Sequence, residues 1–230
     1  MTNNAWNTPF SSSNGQLLIG QATGRPAWAT VTQGTGSTVT NGAGSISVAF
    51  DDATGDWELI SSATASSSSE ITFTGLSSTY DSYQLVIHNL QPATDGSIFL
   101  MQTSTDGGST YDSGASDYAW NSIGTNDGGT FDPEGSAGDT KISLIGDQSS
   151  EEMGSGTNET ASGYIWIFNP SGTDYTKVFY AFSYTDLVDD QCSVTGGGSR
   201  LSAADVDAIR LFMDSGNIST GNFRLYGMRA

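Results

Sequence analysis

Short apolar runs separated by turn-forming residues dominate the chain from residue 57 onward. Most runs carry Val, Ile, Phe, Tyr or Trp at every second position, which is typical of strands with one buried face. Gly, Ser, Asp and Asn lie between the runs, as they do in turns. The pattern predicts ten strands, at 57–61, 70–74, 83–90, 97–103, 118–121, 141–144, 163–169, 177–184, 208–213 and 222–228.

Strands at this spacing predict an all-β fold, an antiparallel β-sandwich or jelly roll over residues 56–230. A parallel sheet would need crossover helices, and only residues 202–208 have a helical pattern. There Ser202 is a candidate N-cap of one or two turns. The long polar stretches 122–140 and 145–162 are predicted to be surface loops.

Residues 1–55 have a different composition, rich in Gly, Thr, Ser, Asn and Ala, with small apolar islands at 16–20, 28–31 and 45–48. Such a segment cannot bury enough apolar area to offset its own ordering entropy. The islands alternate in the β manner, so we expect an extended arm that becomes ordered against partner subunits, with a flexible arm as the alternative. Asn41 and Gly42 predict a hairpin turn, because both residues tolerate positive φ.

The composition supports a folded domain and argues against nucleic acid as a partner. Apolar residues make up 36% of the 230 residues and aromatic residues 10%, which is enough to fill a core. The 25 acidic and 7 basic residues give a formal net charge of −18, and the basic residues are scattered, so a polyanion would be repelled. The single cysteine, Cys192, excludes an intrachain disulfide and a thiolate metal cluster.

The sequence shows neither a secretory signal nor a membrane-spanning segment. The N-terminus lacks the basic and apolar regions of a secretory signal. The longest apolar run, 164–168, is too short to cross a bilayer. We therefore expect synthesis in a cytoplasm and no membrane insertion.

Candidate catalytic residues do not form a recognisable set. His88 is the only histidine, and it is predicted to lie on a strand face opposite Leu85 and Ile87. No Gly-x-Ser-x-Gly motif accompanies it, and a site with two histidines is impossible within one chain. Several acids fall in one loop-rich region, but their spacing selects no glycosidase pair: Asp106, Asp112, Asp117, Asp127, Asp132 and Glu134. We expect no enzyme, no catalytic residues and no cofactor.

Residues 104–111, STDGGSTY, match the Ser-x-Asp-x-Gly-x-x-aromatic pattern of the Asp box. This stretch therefore resembles a turn motif that is found in sialidases and other β proteins. The resemblance implies a structural role in closing a hairpin, in which the Asp accepts hydrogen bonds from turn amides. The matching residues are Ser104, Asp106, Gly108 and Tyr111. Calcium bound by Asp106 and Asp112 is the alternative, but the Asp-x-Asp-x-Asp-Gly array is absent, so no metal site is expected.

Aromatic side chains that follow the Asp-box stretch suggest contact with a glycan. Rings that are exposed can stack on sugars, although packing in a core or an interface is the more common role. Tyr118 and Trp120 are the candidates for contact with a glycan.

The arm resembles a module that recurs in phage tail fibres and related virion proteins. The matching stretches are NGQLLIG at 14–20, GRPAWATVT at 24–32, GTG at 34–36 and VTNGAGSI at 39–46. In that family the module belongs to fibrous or anchoring parts of trimeric proteins. The rest of the chain is similar to phage structural proteins that end in a jelly roll, through residues 104–111 and 215–227.

This resemblance implies a non-catalytic phage virion surface protein that is made in the host cytoplasm. With one module and one domain, the chain suits a homotrimeric capsid decoration (cement) protein or short head fibre, anchored to capsid or tail proteins through the arm. Trimerisation would bury the apolar arm residues, which are Leu17, Leu18, Ile19, Trp28 and Val31. The alternatives are a tail-fibre or receptor-binding protein that binds a host surface glycan, and a glycan-degrading enzyme.

Overall fold

The computed structural model describes residues 16–20, 25–34, 37–43, 45–50, 57–146 and 152–229. The chain divides into two units, residues 1–54 and 55–230. Every regular element in the described ranges is a strand, and the strands pair antiparallel.

The first unit contains two hairpins. Strand β1 (Gln16–Ile19) pairs with β2 (Ala27–Thr30), and β3 (Ser37–Gly42) pairs with β4 (Ser45–Phe50). The predicted hairpin is therefore present, but its turn was placed too early. Gly42 lies opposite Ser45, so Asn41 and Gly42 end β3 and the connection follows them.

The second unit is a sandwich of two antiparallel sheets. The larger sheet has eight strands in the order β10-β9-β14-β13-β12-β7-β16-β5, and the smaller has four in the order β11-β8-β15-β6. The strands are β5 (Trp57–Ser68), β6 (Ile71–Thr74), β7 (Ser82–Pro92), β8 (Phe99–Ser104), β9 (Tyr118–Asn126), β10 (Phe131–Asp139), β11 (Ile142–Ile145), β12 (Ala161–Phe168), β13 (Lys177–Thr185), β14 (Gln191–Arg200), β15 (Ala208–Met213) and β16 (Ile218–Met228).

The core lies between the two sheets and follows from the two-residue period of the strands. On β7, for example, Tyr83, Leu85 and Ile87 are buried while the residues between them are not. The ring of Phe99 in the smaller sheet meets that of Phe182 in the larger edge to face, with centroids 6.1 Å apart. Full burial of each large apolar side chain contributes about 1.5–3 kcal/mol, which is why this interface fixes the fold.

The all-β, antiparallel sandwich predicted from the sequence is confirmed, and all ten predicted strands are present. The division into eight and four strands differs from the two Greek keys in eight strands of a jelly roll, so sandwich is the description that the structure supports. Two strands were not predicted, β10 and β14. The interpretation of 122–140 as a loop was wrong, because β9 and β10 fill most of it.

The helix predicted at 202–208 does not form. The backbone there is tied to distant segments instead: the Val206 amide donates to the Pro170 carbonyl (2.9 Å) and the Asp207 amide to the Ser104 carbonyl (3.0 Å). These bonds replace the i to i−4 pattern of a helix. The predicted loop 145–162 lies partly outside the described residues, and within them β12 already begins at Ala161.

Glycines in β14 make room for a hydrogen bond between the sheets. The Tyr180 hydroxyl on β13 donates to the Ser143 carbonyl on β11 at 2.7 Å. A Cβ placed on Gly196 would overlap that hydroxyl and the Asn121 carbonyl oxygen, whereas one on Gly197 would meet only the Val178 carbonyl at 3.3 Å. Gly196 is thus required by packing in a way that its neighbour is not.

We predict that Gly196→Ala lowers the free energy of unfolding by about 1–3 kcal/mol, because the added methyl displaces the Tyr180 ring or spreads the strands. The matched control Gly197→Ala should change it by less than half as much. Urea denaturation followed by circular dichroism measures both. Equal effects of the two variants would show that the Tyr180 hydroxyl does not limit packing.

Candidate functional site

The arm residues predicted for assembly lie at the surface of the chain. Leu17, Leu18 and Ile19 are 47%, 45% and 47% exposed. Successive residues of a strand point to opposite faces, so β1 leaves apolar side chains uncovered on both of its faces. Trp28 and Val31 are half-buried.

The remaining described residues of this unit share the same property. None of them between 16 and 50 is buried, and Val48 and Phe50 on β4 are 48% and 83% exposed. The hairpins therefore have apolar surface without an apolar core in the described ranges.

The Asp-box residues form the turn that the sequence predicts. Asp106 accepts hydrogen bonds from the Thr110 amide (2.8 Å) and hydroxyl (2.7 Å) and from the Ser104 hydroxyl (2.8 Å). These bonds lower the pKa of the Asp106 carboxyl from 3.8 to about 2. The Gly108 amide donates to the Ser104 hydroxyl oxygen at 2.9 Å, and Gly108 has a φ of 84°, which explains the glycine.

The prediction that this turn closes a hairpin was wrong. The strand before it, β8, belongs to the smaller sheet, and the next strand, β9, belongs to the larger one. The turn instead docks on β15 and the segment before it. The Gly107 amide donates to the Asp207 carboxylate at 2.9 Å, and the Arg210 guanidinium lies 4.7 Å from the centre of the Tyr111 ring. The turn therefore fixes the connection by which the chain passes from β8 in the smaller sheet to β9 in the larger sheet.

Asp112, the second candidate calcium ligand besides Asp106, is held in an ion pair. Its carboxylate accepts a hydrogen bond from the Arg200 side chain at 2.5 Å and one from the Thr103 hydroxyl at 3.2 Å. This pair links β14 to the loop after β8, and it is partly shielded from solvent, since the Arg200 side chain is 9% exposed. Among the described residues no group of three His, Cys, Asp or Glu side chains is placed to hold a metal ion.

The two aromatic residues predicted to contact a glycan are in the core. Tyr118 is 0% exposed and Trp120 is 6% exposed. The Tyr118 hydroxyl accepts a hydrogen bond from the Thr103 amide at 2.8 Å, and burial raises the pKa of this phenol to about 12. Trp120 donates its indole N–H to Asp139 at 3.0 Å. The expectation that these rings are exposed was therefore wrong; both start β9 and point toward the smaller sheet.

The remaining candidate acids and the histidine are dispersed. His88 is exposed on the face of β7 opposite Leu85 and Ile87, as its strand position predicts. Asp117 accepts a hydrogen bond from the Gly114 amide at 2.6 Å. Asp132 and Glu134 lie on the edge strand β10, and Asp127 lies in the β9–β10 turn.

The sequence reasoning missed an exposed aromatic cluster on the larger sheet. We call the side of this sheet turned away from the smaller sheet the outer face. Trp166 and Phe168 on β12 are parallel there with centroids 5.7 Å apart, and Trp57 on β5 lies 5.1 Å from Trp166. The cluster comprises Trp57, Tyr164, Trp166, Phe168, Phe179 and Tyr226.

A signal for this cluster exists in the sequence. In the run 164–168 every residue is apolar, with isoleucines at the buried positions and aromatics between them. A strand with one solvated face would alternate apolar with polar residues. The run therefore indicates a strand whose second face is also apolar.

An open groove of about 660 Å³ lies beside this cluster, at the end of β12 and the start of β13. Its lining includes the rings of Phe168 and Tyr175, which are 39% and 46% exposed, together with Asn169, Asp174 and Lys177. The Lys177 ammonium lies 5.4 Å from the centre of the Tyr175 ring. Two exposed rings with an amide, an acid and a cation form a combination that can bind a sugar.

We predict that Asp106→Asn destabilises the protein in a manner that depends on pH. A carboxyl whose pKa is lower in the folded state than its ordinary 3.8 stabilises the fold above about pH 4, and this contribution is lost as the pH falls through about 2. The melting temperature of the variant should therefore lie below that of the wild type at pH 7, and the difference should narrow toward pH 2.

Asp205→Asn removes one exposed carboxylate from another loop and serves as the control. A difference between Asp106→Asn and wild type that stays constant from pH 7 to pH 2 would contradict the assignment of the Asp106 hydrogen bonds to the ionised form.

Comparison with known proteins leaves the chain without an identified family. No protein-family model matches it, and no curated protein is similar to it in sequence. Over the ranges that the structure describes, no helix is long and apolar enough to span a membrane.

Proposed function

We propose that this chain is a non-catalytic surface protein of a phage virion, a capsid decoration protein or short head fibre, which forms a homotrimer and attaches to the particle through residues 1–55. The observation that carries the proposal is the lack of any buried residue among those described between 16 and 50. A segment with strands, apolar side chains and no core gains stability by contact with other chains.

The size of this gain is compatible with stable assembly. Leu17, Leu18 and Ile19 each keep almost half of their surface exposed. Covering the remaining half would contribute roughly 1 kcal/mol for each side chain, so nine such side chains in a trimer contribute on the order of 9 kcal/mol. The resemblance of the arm to trimeric virion proteins supports the same stoichiometry.

The structural roles of the candidate acids support a non-catalytic function. Asp106 holds a turn, Asp112 pairs with Arg200, and Asp117 binds the Gly114 amide. None of these three carboxylates needs a substrate to account for its position.

We predict that Leu18→Asp prevents trimer formation and attachment to particles, because a carboxylate cannot be buried between arms. Light scattering should give three times the chain mass for the wild type and the chain mass for the variant. Immunogold electron microscopy of phage particles should label the head surface for the wild type only. Val188→Asp, which changes a loop residue that is 57% exposed, is the control and should behave as the wild type.

Two results would contradict the proposal. A monomeric wild type would remove the homotrimer, and particles that carry no label in any position would remove the virion location. Label at the tail tip would support a receptor-binding function instead.

A receptor-binding protein that grips a host glycan is the second candidate, and the groove beside Tyr175 is the observation that favours it. The groove replaces Tyr118 and Trp120 as the candidate glycan site, because the rings of those two residues are buried. Its aromatic, amide and carboxylate groups are those that stack on and hydrogen-bond to a sugar ring.

For this candidate, Tyr175→Ala should weaken binding to an arrayed bacterial surface polysaccharide at least tenfold, because it removes one stacking ring. Phe131→Ala removes an exposed ring outside the groove and should leave binding unchanged. Binding that survives Tyr175→Ala, or a wild type that retains no polysaccharide, would remove the groove as a receptor site.

A further inference from the structure

We infer that the outer face of the eight-stranded sheet is a second surface, besides the arm, through which copies of this chain contact one another, an inference that rests on the homo-oligomer proposed above. Two independent properties of this face lead to it, its charge and its apolar surface.

Among the described residues, no outward-pointing strand position on the outer face carries an acidic side chain. The register of the sheet places residues of the same face opposite one another, and the buried residues identify the inner set. In the described strands of this sheet, the outward-pointing side chains of the Asp, Glu, Lys, Arg and His types are only Arg224, Lys177 and His88, and all three are exposed. This occurs in a chain with 25 acidic and 7 basic residues.

The acids of these strands alternate onto the other side. On β10, Asp132 and Glu134 lie opposite Gly124 and Ser122 of β9, in register with the inner set, while Phe131 faces outward. On β5, Glu58 lies between Trp57 and Leu59, which point outward. Its carboxylate accepts a hydrogen bond from the Tyr80 hydroxyl at 2.6 Å. In the described strands, acidic residues are thus present but do not point to this face.

Exclusion of acids indicates the kind of partner. Two copies of a chain with a net charge of −18 repel each other, and the repulsion is reduced where at least one of the two touching surfaces carries no acids. A neutral partner would give no reason to exclude acids, and a basic partner would be attracted by them. The face therefore suits another acidic molecule, and a second copy of this chain is such a molecule.

The apolar surface indicates contact with protein. Trp57, Phe168 and Phe179 are 45%, 39% and 43% exposed, and Leu59 beside them is 53% exposed. Met228 and Arg224 flank Tyr226 on β16. Aromatic residues, methionine and arginine are the types enriched in the cores of protein interfaces.

The area of the face is sufficient for a stable contact. Eight strands about 4.8 Å apart and about seven residues long, at about 3.3 Å per residue, give roughly 900 Å². A standard interface buries about 800 Å² on each partner. In a cyclic trimer each face meets a different patch of the next copy, so Arg224 and Lys177 are available to pair with acids there.

The test places a negative charge on the face in the full-length chain. Phe179→Glu and Thr195→Glu each add an acid at an exposed outward position, and Thr72→Glu adds one at an exposed position of the smaller sheet. Light scattering over a concentration series should show that both face variants raise the concentration for half-assembly at least tenfold, while Thr72→Glu leaves it unchanged. Circular dichroism checks that all three variants fold.

Hydroxyl-radical footprinting supplies a readout that needs no substitution. In the assembled wild type, Trp57, Trp166 and Met228 should be labelled several-fold less than in a sample diluted to monomers. Phe131, 70% exposed at the far edge of the sheet, reports how far the contact extends.

The outcomes separate this inference from the proposed function. A trimeric wild type with both face variants also trimeric, or with unprotected Trp57 and Trp166, would overturn the inference and leave the virion function in place. A monomeric wild type would overturn both. Face variants that stay trimeric but lose retention on an immobilised acidic polysaccharide would identify a polyanion, not a second copy, as the occupant.

Discussion

The structure depends on packing a four-stranded sheet against one side of a sheet that has twice as many strands. The buried rows of both sheets meet there, and Phe99 against Phe182 is one of the contacts that hold them together. Because the smaller sheet covers one side only, the wide sheet has a second side that no described strand of the second unit covers. Solvated sheets normally carry polar residues on such a side, whereas this one carries the aromatic cluster.

Residue pattern predicted the strands well where side chains were large. From Tyr83 to His88, buried and outward positions alternate so regularly that the strand, its inner face and the exposed position of His88 all followed from the sequence. Strands β10 and β14 escaped prediction because Pro133 and the glycines 196–198 are turn residues by composition. β10 forms because β9 pairs with it at the edge of the sheet. β14 forms because it pairs with β13, and the missing Cβ of Gly196 leaves room for the Tyr180 ring.

The candidate sites show a similar division between local and non-local information. The Asp106 turn follows from a contiguous motif, so its hydrogen bonds were predictable; its docking on Asp207 was not, because 100 residues separate Gly107 from that partner. Tyr118 and Trp120 lie among polar residues that suggested exposure, yet both point inward from the start of β9. The aromatic groove and cluster depend on which strands become neighbours, and strand order does not follow from local sequence.

The burial of Cys192 has a practical consequence for measuring such an assembly. This cysteine, 1% exposed, is the only one in the chain, and its thiol lies 3.8 Å from the buried Asp186 carboxylate. Thiol reagents react with the exposed thiolate form, which the folded sandwich withholds. A cysteine introduced at any surface position would therefore be the sole site of maleimide labelling, so fluorophores or spin probes can report distances without first removing a native residue.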